Sequence, residues 1–357
     1  MMDIRLFLDI LNIDSTSGKE EMLSDFLSEH LSTSANQVHQ FDNHNLLITW
    51  GEPKLLFCTH LDTVPPYIAP SHDDTTVYGR GACDAKGQIF AMWEACRILE
   101  AKGYSGFGLL LLTGEETGSY GAKAFLQQHP GAEWVVVGEP TDNHIATAAK
   151  GTKSFEVTFT GKAFHSGYPE NGISAVEMFN DFMNALRSIR FPEDELLGET
   201  TWNVGKLVSD NPQNILSPEL TCRVYFRTTF ESDEMVCNIM KNIAGPQAKL
   251  RFGRPKVQDG SDIVAKDVAQ WQKSMAVVAL GGDTPTRFET IEGFPQKPVS
   301  FGSDAPQLTN CPKKILCGPG SILVAHRPEE HILLKDIETA VQNYIRIAET
   351  ILSDKNY

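Results

Sequence analysis

Leu55-Leu-Phe-Cys-Thr59-His60-Leu-Asp62 is the stretch on which the reading of the fold turns. Its first five residues are nearly all apolar, the pattern of a strand buried on both faces, as strands of a parallel sheet are. A polar pair, His60 and Asp62, follows at once. The same signature recurs on either side. Gly108–Thr113 and Trp134–Val137 are further buried-strand candidates, and Leu46–Trp50 is another strand. Between them, Ile89, Met92, Trp93, Cys96 and Leu99 fall on one helix face within 85–101. Helical patterns also cover 3–13, 19–31 and the region of 121–128. Strands alternating with helices predict an α/β domain with a mostly parallel sheet.

The texture changes after Gly151. Ser154–Thr160 alternates strictly, with Phe155, Val157 and Phe159 opposite Ser154, Glu156 and Thr158. Thr221–Thr228 alternates too, with helical patterns at 175–189 and 233–243. This rhythm predicts a small inserted α+β domain of ferredoxin-like type, solvated on one sheet face. Past Asp259 the helix–strand alternation returns and closes with an amphipathic helix from His331 to Leu352. The expected division is therefore 1–152 and 259–357 for one domain and 153–258 for the insertion.

A hydrophobic content of 41% and a charged content of 22% fit a soluble globular chain. The net charge of −15 argues against nucleic acid or an anionic membrane as partner. No apolar run is long enough to span a bilayer, and the N-terminal stretch does not read as a signal peptide. A cytoplasmic location is expected. The seven cysteines are scattered without a Cys-x-x-Cys pair, and are expected to be reduced and mostly buried.

Polar groups collect where the apolar strands end, the place where open parallel sheets carry functional groups. His60 and Asp62 face the same way in an extended segment, so the carboxylate can accept the second imidazole N–H and fix its tautomer. In Gly79-Arg-Gly-Ala-Cys-Asp84-Ala-Lys-Gly87, Asp84 sits where a helix begins. Alone it reads as an N-cap; among other ligands it becomes a bridging carboxylate. Glu115 and Glu116 are adjacent acids at a buried strand end, costly without a cation. Glu116 can ligate while Glu115, diverging from it, serves as general base. Glu139 follows Trp134–Val137, and His326 follows Gly318-Pro-Gly320. Glu330 is expected to hold the other nitrogen of His326 or to cap the C-terminal helix. Two imidazoles, three ligating carboxylates and one spare Glu are the parts of a two-metal hydrolase.

These motifs, with Gly161-Lys-Ala-Phe-His165-Ser, resemble the zinc-dependent acetylornithine deacetylase, succinyl-diaminopimelate desuccinylase and aminoacylase family of co-catalytic metallopeptidases. The resemblance runs from His60 to Glu330. It implies two Zn²⁺, for which Co²⁺ can substitute, with Asp84 as the bridge. His60 and Glu139 would hold one ion, Glu116 and His326 the other. Glu115 would be the base and Asp62 the orienter of His60. The inserted domain would form a homodimer and lend His165 to the partner's site. Asn214 and Arg227 would bind the substrate carboxylate, with Arg223 as an alternative to Arg227, and Ser303 would touch substrate. A Glu at 139 goes with deacylases and carboxypeptidases, an Asp with aminopeptidases and dipeptidases.

The function expected is removal of an acetyl or succinyl group from an N-acyl-L-amino acid, in arginine biosynthesis. The alternatives are a succinyl-diaminopimelate desuccinylase, and a carboxypeptidase or dipeptidase of the same family. A metal-free binding protein on the same fold is a further reading, which the complete ligand set opposes. No motif distinguishes the acyl group or the amino acid.

Overall fold

The apolar strands form side by side, and four of them run in parallel. In the computed structural model, which describes residues 3–243 and 275–353, two units separate. The first holds residues up to Ala148, Arg287–Val299 and Ser303 onward; the second holds Ala149–Thr286 and Ser300–Gly302.

The elements of the chain run as follows. Helices α1 (Arg5–Asn12) and α2 (Glu21–His30) precede strands β1 (Gln37–Phe41), β2 (Asn45–Trp50) and β3 (Leu55–His60). Short strands β4 (Ser71–His72) and β5 (Thr76–Tyr78) lead to helix α3 (Lys86–Ala101), then β6 (Phe107–Leu112), α4 (Tyr120–Gln128), β7 (Trp134–Val137) and β8 (Ile145–Ala149). The second unit supplies β9 (Gly151–Thr160), α5 (Ala175–Ser188), β10 (Thr201–Val208), β11 (Glu219–Thr228), α6 (Asp233–Ile243) and β12 (Met275–Gly281). Strands β13 (Thr286–Arg287), β14 (Gln296–Val299), β15 (Lys313–Leu316) and β16 (His331–Leu333) come before the last helix, α7 (Leu334–Ser353).

The main sheet of the first unit has the order β1-β2-β6-β3-β7-β15. Strands β6, β3, β7 and β15 are parallel, while β1 and β2 add antiparallel pairings at one edge. Every residue of β3 and β6 is buried, so each hides both faces between layers of helix. Helix α3 is buried nearly all round. Helix α7 turns Ile337, Val341, Tyr344, Ala348 and Ile351 into the same core. Phe57 meets Tyr344 edge to face, and Phe7 stacks on Phe90. Because the four parallel strands point one way, the segments after His60, Leu112, Val137 and Leu316 emerge along one rim. Two small sheets, β16-β5-β4 and β13-β8-β14, also form among the described residues.

The second unit has an antiparallel sheet in the order β10-β11-β9-β12, with α5 and α6 on one face. Period-two alternation sends Phe155, Val157, Phe159, Cys222, Val224 and Phe226 into its core. Glu156, Arg223, Tyr225 and Arg227 stand on the other face.

Two expectations need correction. The return at 259 falls outside the described residues, but Met275–Gly281 still pairs with β9, so the inserted unit extends further than 258. The closing helix does not begin at His331, because His331–Leu333 pairs with β5 as a strand and the helix starts at Leu334. Tertiary pairing with Val77 overrides the helical pattern there. All seven cysteines are free thiols, six of them buried. Among the described residues, no helix is long and apolar enough to cross a membrane.

Candidate metal centre

The rim of the parallel sheet draws together residues far apart in sequence. His60, the last residue of β3, is buried. Its Nδ1 lies 2.8 Å from the backbone carbonyl of Asp62 and 3.4 Å from that residue's Oδ1. The tautomer is therefore held chiefly by a carbonyl, with the carboxylate adding charge. Nε2 faces Asp84 Oδ1 at 3.1 Å.

The Asp62 carboxylate has a wider role than the sequence suggests. It accepts from the amides of Glu115 (3.0 Å) and Glu116 (3.2 Å) and from the Ser17 hydroxyl (2.8 Å). It thus ties the turn after β6 to the turn after β3. Burial would raise its proton affinity, but the His60 contact and these donors hold it below the usual carboxylate value.

Asp84 precedes α3, at a cis peptide bond with Ala85. It caps no amide of that helix; instead Oδ1 faces His60 and Oδ2 faces His326 Nε2, each at 3.1 Å. Despite burial, the two imidazoles keep it ionised. The His326 Nε2 also lies 2.8 Å from Glu116 Oε1. His326 has a left-handed backbone, φ 62°, a conformation that costs a residue with a side chain roughly 1–3 kcal/mol. Its ring is about half exposed, unlike that of His60.

Two sets of donor atoms result, each within 4.8 Å: His60, Asp84 and Glu139, and Asp84, Glu116 and His326. Asp84 belongs to both, with one oxygen aimed at each. The electrostatics ask for cations. Burial pushes the Glu139 carboxyl well above the ordinary range, and the Asp84 and Glu115 charges push it further. Burial likewise raises Glu115, helped by Asp304 and Glu116. Hydrogen bonds to Asp84 and Glu116 raise His326 to about 10, so a proton on its ring supplies the positive charge those acids need. A divalent ion bound by the same atoms would displace that proton. The donor set, hard carboxylates with two imidazoles, fits a pair of divalent cations.

Glu330 does neither of the things expected of it. Its carboxylate takes Arg80 and the amides of Gly81, Cys83 and Asp84. Arg80 and Ser17 escaped the sequence reading, although a charged Arg80 between two glycines was a visible signal. The remaining predicted residues lie elsewhere. Ser303 is buried in the first unit, its Oγ accepting from the Ala305 amide at 3.3 Å. Neighbouring Asp304 is buried too, and its charge reaches Glu115 and Glu139. His165 and Asn214 are exposed neighbours in the second unit, where the Ser166 amide donates to the Asn214 carbonyl (2.9 Å). Arg223 is held by Glu156 at 3.2 Å. Arg227 instead lies over the Tyr225 ring, 5.1 Å from its centre.

Known proteins share this arrangement of chain. A tripeptidase from Staphylococcus aureus superposes with a TM-score of 0.78 at 19% identity, over 98% of this chain and 97% of that one. A metallo-carboxypeptidase from Sulfolobus solfataricus gives 0.71 at 16% identity, over 99% and 100%. In sequence, a probable carboxypeptidase of Aspergillus clavatus is 30% identical across 97% of this chain and 88% of its own length. An M20 domain-containing protein of Schizosaccharomyces pombe is 30% identical across 96% and 83%. Residues 56–350, from within β3 to within α7, match the peptidase family M20/M25/M40. The chain therefore belongs to that family of metal-dependent peptidases, enzymes that hydrolyse amide bonds.

Proposed function

We propose that this enzyme is a two-zinc hydrolase of carboxypeptidase type, cleaving an amide whose nitrogen belongs to an α-amino acid with a free carboxylate. The carrying observation is the shared Asp84 between two donor sets, with Glu115 close enough to feel the charges of His60, Glu116 and Asp84. His60, Asp84 and Glu139 would hold one ion and Asp84, Glu116 and His326 the other. When bound, such ions polarise a carbonyl and acidify water. Glu115, half-buried and with its proton affinity raised, accepts a proton from the attacking water and delivers it to the departing amine. Asp62 keeps the Glu115 backbone in place through its amide. Arg227, not committed to an acid among the described residues, binds the substrate carboxylate with Asn214, and Ser303 lines the substrate's path. His165 acts on the scissile carbonyl in a homodimer built through the second unit. The exposed Val278 and Leu280 of edge strand β12 support that association.

Carboxypeptidases and N-acyl-amino-acid deacylases cut the same bond and differ in what lies on the acyl side. The names of the curated relatives favour a peptide there over the acetyl group first expected, and Glu139 speaks against a dipeptidase. Deacylation of acetylornithine is the second reading, supported by the same ligand set. Amine release should be measured with N-blocked dipeptides, acetylornithine, acetylcitrulline, succinyl-diaminopimelate and free dipeptides. Turnover of blocked dipeptides at least tenfold above the acyl-amino acids is expected. Preference for acetylornithine would overturn the carboxypeptidase assignment, and activity on none of them, with zinc present, would remove both.

A further inference from the structure

Arg80 and Glu330 form an ion pair whose side chains are 2% and 0% exposed. Neither touches the reacting centre, yet every partner of the pair is a segment carrying a ligand. Glu330 Oε1 collects the amides of Gly81, Cys83 and Asp84 at 3.0, 3.1 and 3.0 Å. Its Oε2 takes Arg80. Arg80 Nε reaches the Pro66 carbonyl at 3.3 Å, in the loop that follows His60, and Nη1 reaches the carbonyl of Arg327 at 3.4 Å, next to His326. The Gly79 amide donates back to the Glu330 carbonyl at 3.0 Å. Gly81 completes the turn with φ +84°, and a Cβ there would stand 2.9 Å from Thr63 Cγ2. Three amides converging on one carboxylate oxygen, with a guanidinium on the other, fix both direction and depth.

We propose that the Arg80–Glu330 pair is a positioning device for both cation sites at once, locking the bridging Asp84 to the His326 loop and to the loop after His60. The inference rests on the two-cation reading above. A pair serving loop stability alone would leave the affinities untouched; a pair that sets the ligand spacing would not. Because Asp84 is common to both donor sets, its displacement weakens both ions. Loss of His60 or His326, by contrast, should weaken mainly one.

The test is titration of the metal-free protein with Zn²⁺ against a chromophoric chelator, alongside melting of the same metal-free samples. Glu330→Gln sets an amide donor against the guanidinium and should raise both dissociation constants by about 10–100-fold, the usual cost of losing a residue that orients a ligand. Arg80→Met/Glu330→Gln removes both buried charges together, leaves no lone ion and keeps an oxygen to accept the amides of Gly81, Cys83 and Asp84. Its melting temperature should lie nearer the wild type, while both dissociation constants stay raised. Trp50→Phe, which loosens the core at the opposite end of β6, should lower melting without moving either constant. Unchanged affinity at either site in both Glu330 variants, or affinity that recovers together with melting temperature, would overturn the positioning role. Wild-type protein that fails to take up two zinc ions would instead sink the two-cation reading, so the two failures are distinguishable.

Discussion

A methyl group added at Gly318 should disable one cation site through the backbone of its ligand. Gly318 follows β15, against the segment that carries Glu139. A Cβ at 318 would stand 2.2 Å from Gln88 Oε1 and 2.6 Å from the Glu139 carbonyl oxygen. Ordinary contact begins at 3.4 Å, so that carbonyl must retreat by about 0.8 Å. Neither neighbour yields easily. Gln88 is pinned because its Nε2 donates to the carbonyls of Cys83 (3.1 Å) and Pro319 (2.9 Å). Gly318 is held by the Thr141 hydroxyl at 2.9 Å and the Asn143 amide at 2.8 Å. Metal–ligand distances tolerate only about 0.2 Å of error. Gly318→Ala should therefore weaken the site of His60, Asp84 and Glu139 far more than that of Glu116 and His326. Overpacking costs roughly 1–3 kcal/mol of stability, and a misplacement of this size costs on the order of 10²-fold in turnover. Zinc titration should show two binding steps of which one is selectively lost, with activity falling in proportion. Two ions bound with wild-type affinities and full turnover would refute the reasoning, because the carbonyl would then have moved without carrying its side chain.

Glu115→Gln should leave two zinc ions bound while turnover falls about 10²–10⁴-fold, which is roughly 2.7–5.4 kcal/mol of barrier; near-normal kcat would remove its role as base. The metal-free protein should lose stability as pH rises from about 5 to 10. Glu115 and Glu139 have raised folded values, so their contribution is complete below the unfolded 4.5 and fades above it. His326 acts in the same direction, its contribution being lost as pH passes about 10. Melting of chelator-treated protein checks this: Glu139→Gln should flatten the slope, and stability rising with pH would contradict the sign. Arg227→Met should raise KM about 10–100-fold for substrates with a free carboxylate, by loss of a charged hydrogen bond. Arg223→Met, whose guanidinium is already occupied by Glu156, should change KM little. Equal effects of the two would shift the assignment.

Much of this architecture is legible in the sequence because burial on both faces leaves a plain trace. Leu55–Thr59 and Trp134–Val137 are so apolar that a covered parallel strand suits them best, and the candidate ligands His60 and Glu139 stand where those strands stop. Edge elements left no such trace. Gln37–Phe41 is polar and mostly exposed, and its pairing with β2 depends on the partner. Met275–Gly281 reads as an apolar run with no hint of which sheet it joins. The partners of Glu330 were hidden for a different reason. They are backbone amides, which look alike in every sequence, and only the curl of the Gly81–Asp84 turn aims three of them at one oxygen. Asp62 likewise shows its imidazole partner in the spacing but not its grip on the turn after β6.

The order in which the parts emerge from the ribosome also has a consequence. Four acids, Asp84, Glu115, Glu116 and Glu139, are synthesised well before His326 and Glu330. At about 5–20 residues per second, the nascent chain waits on the order of ten to forty seconds between Glu139 and His326. Throughout that interval one donor set lacks its imidazole and the Asp84 turn lacks its anchor. A centre assembled this way lacks part of its donor set until the segment that carries His326 and Glu330 has been made.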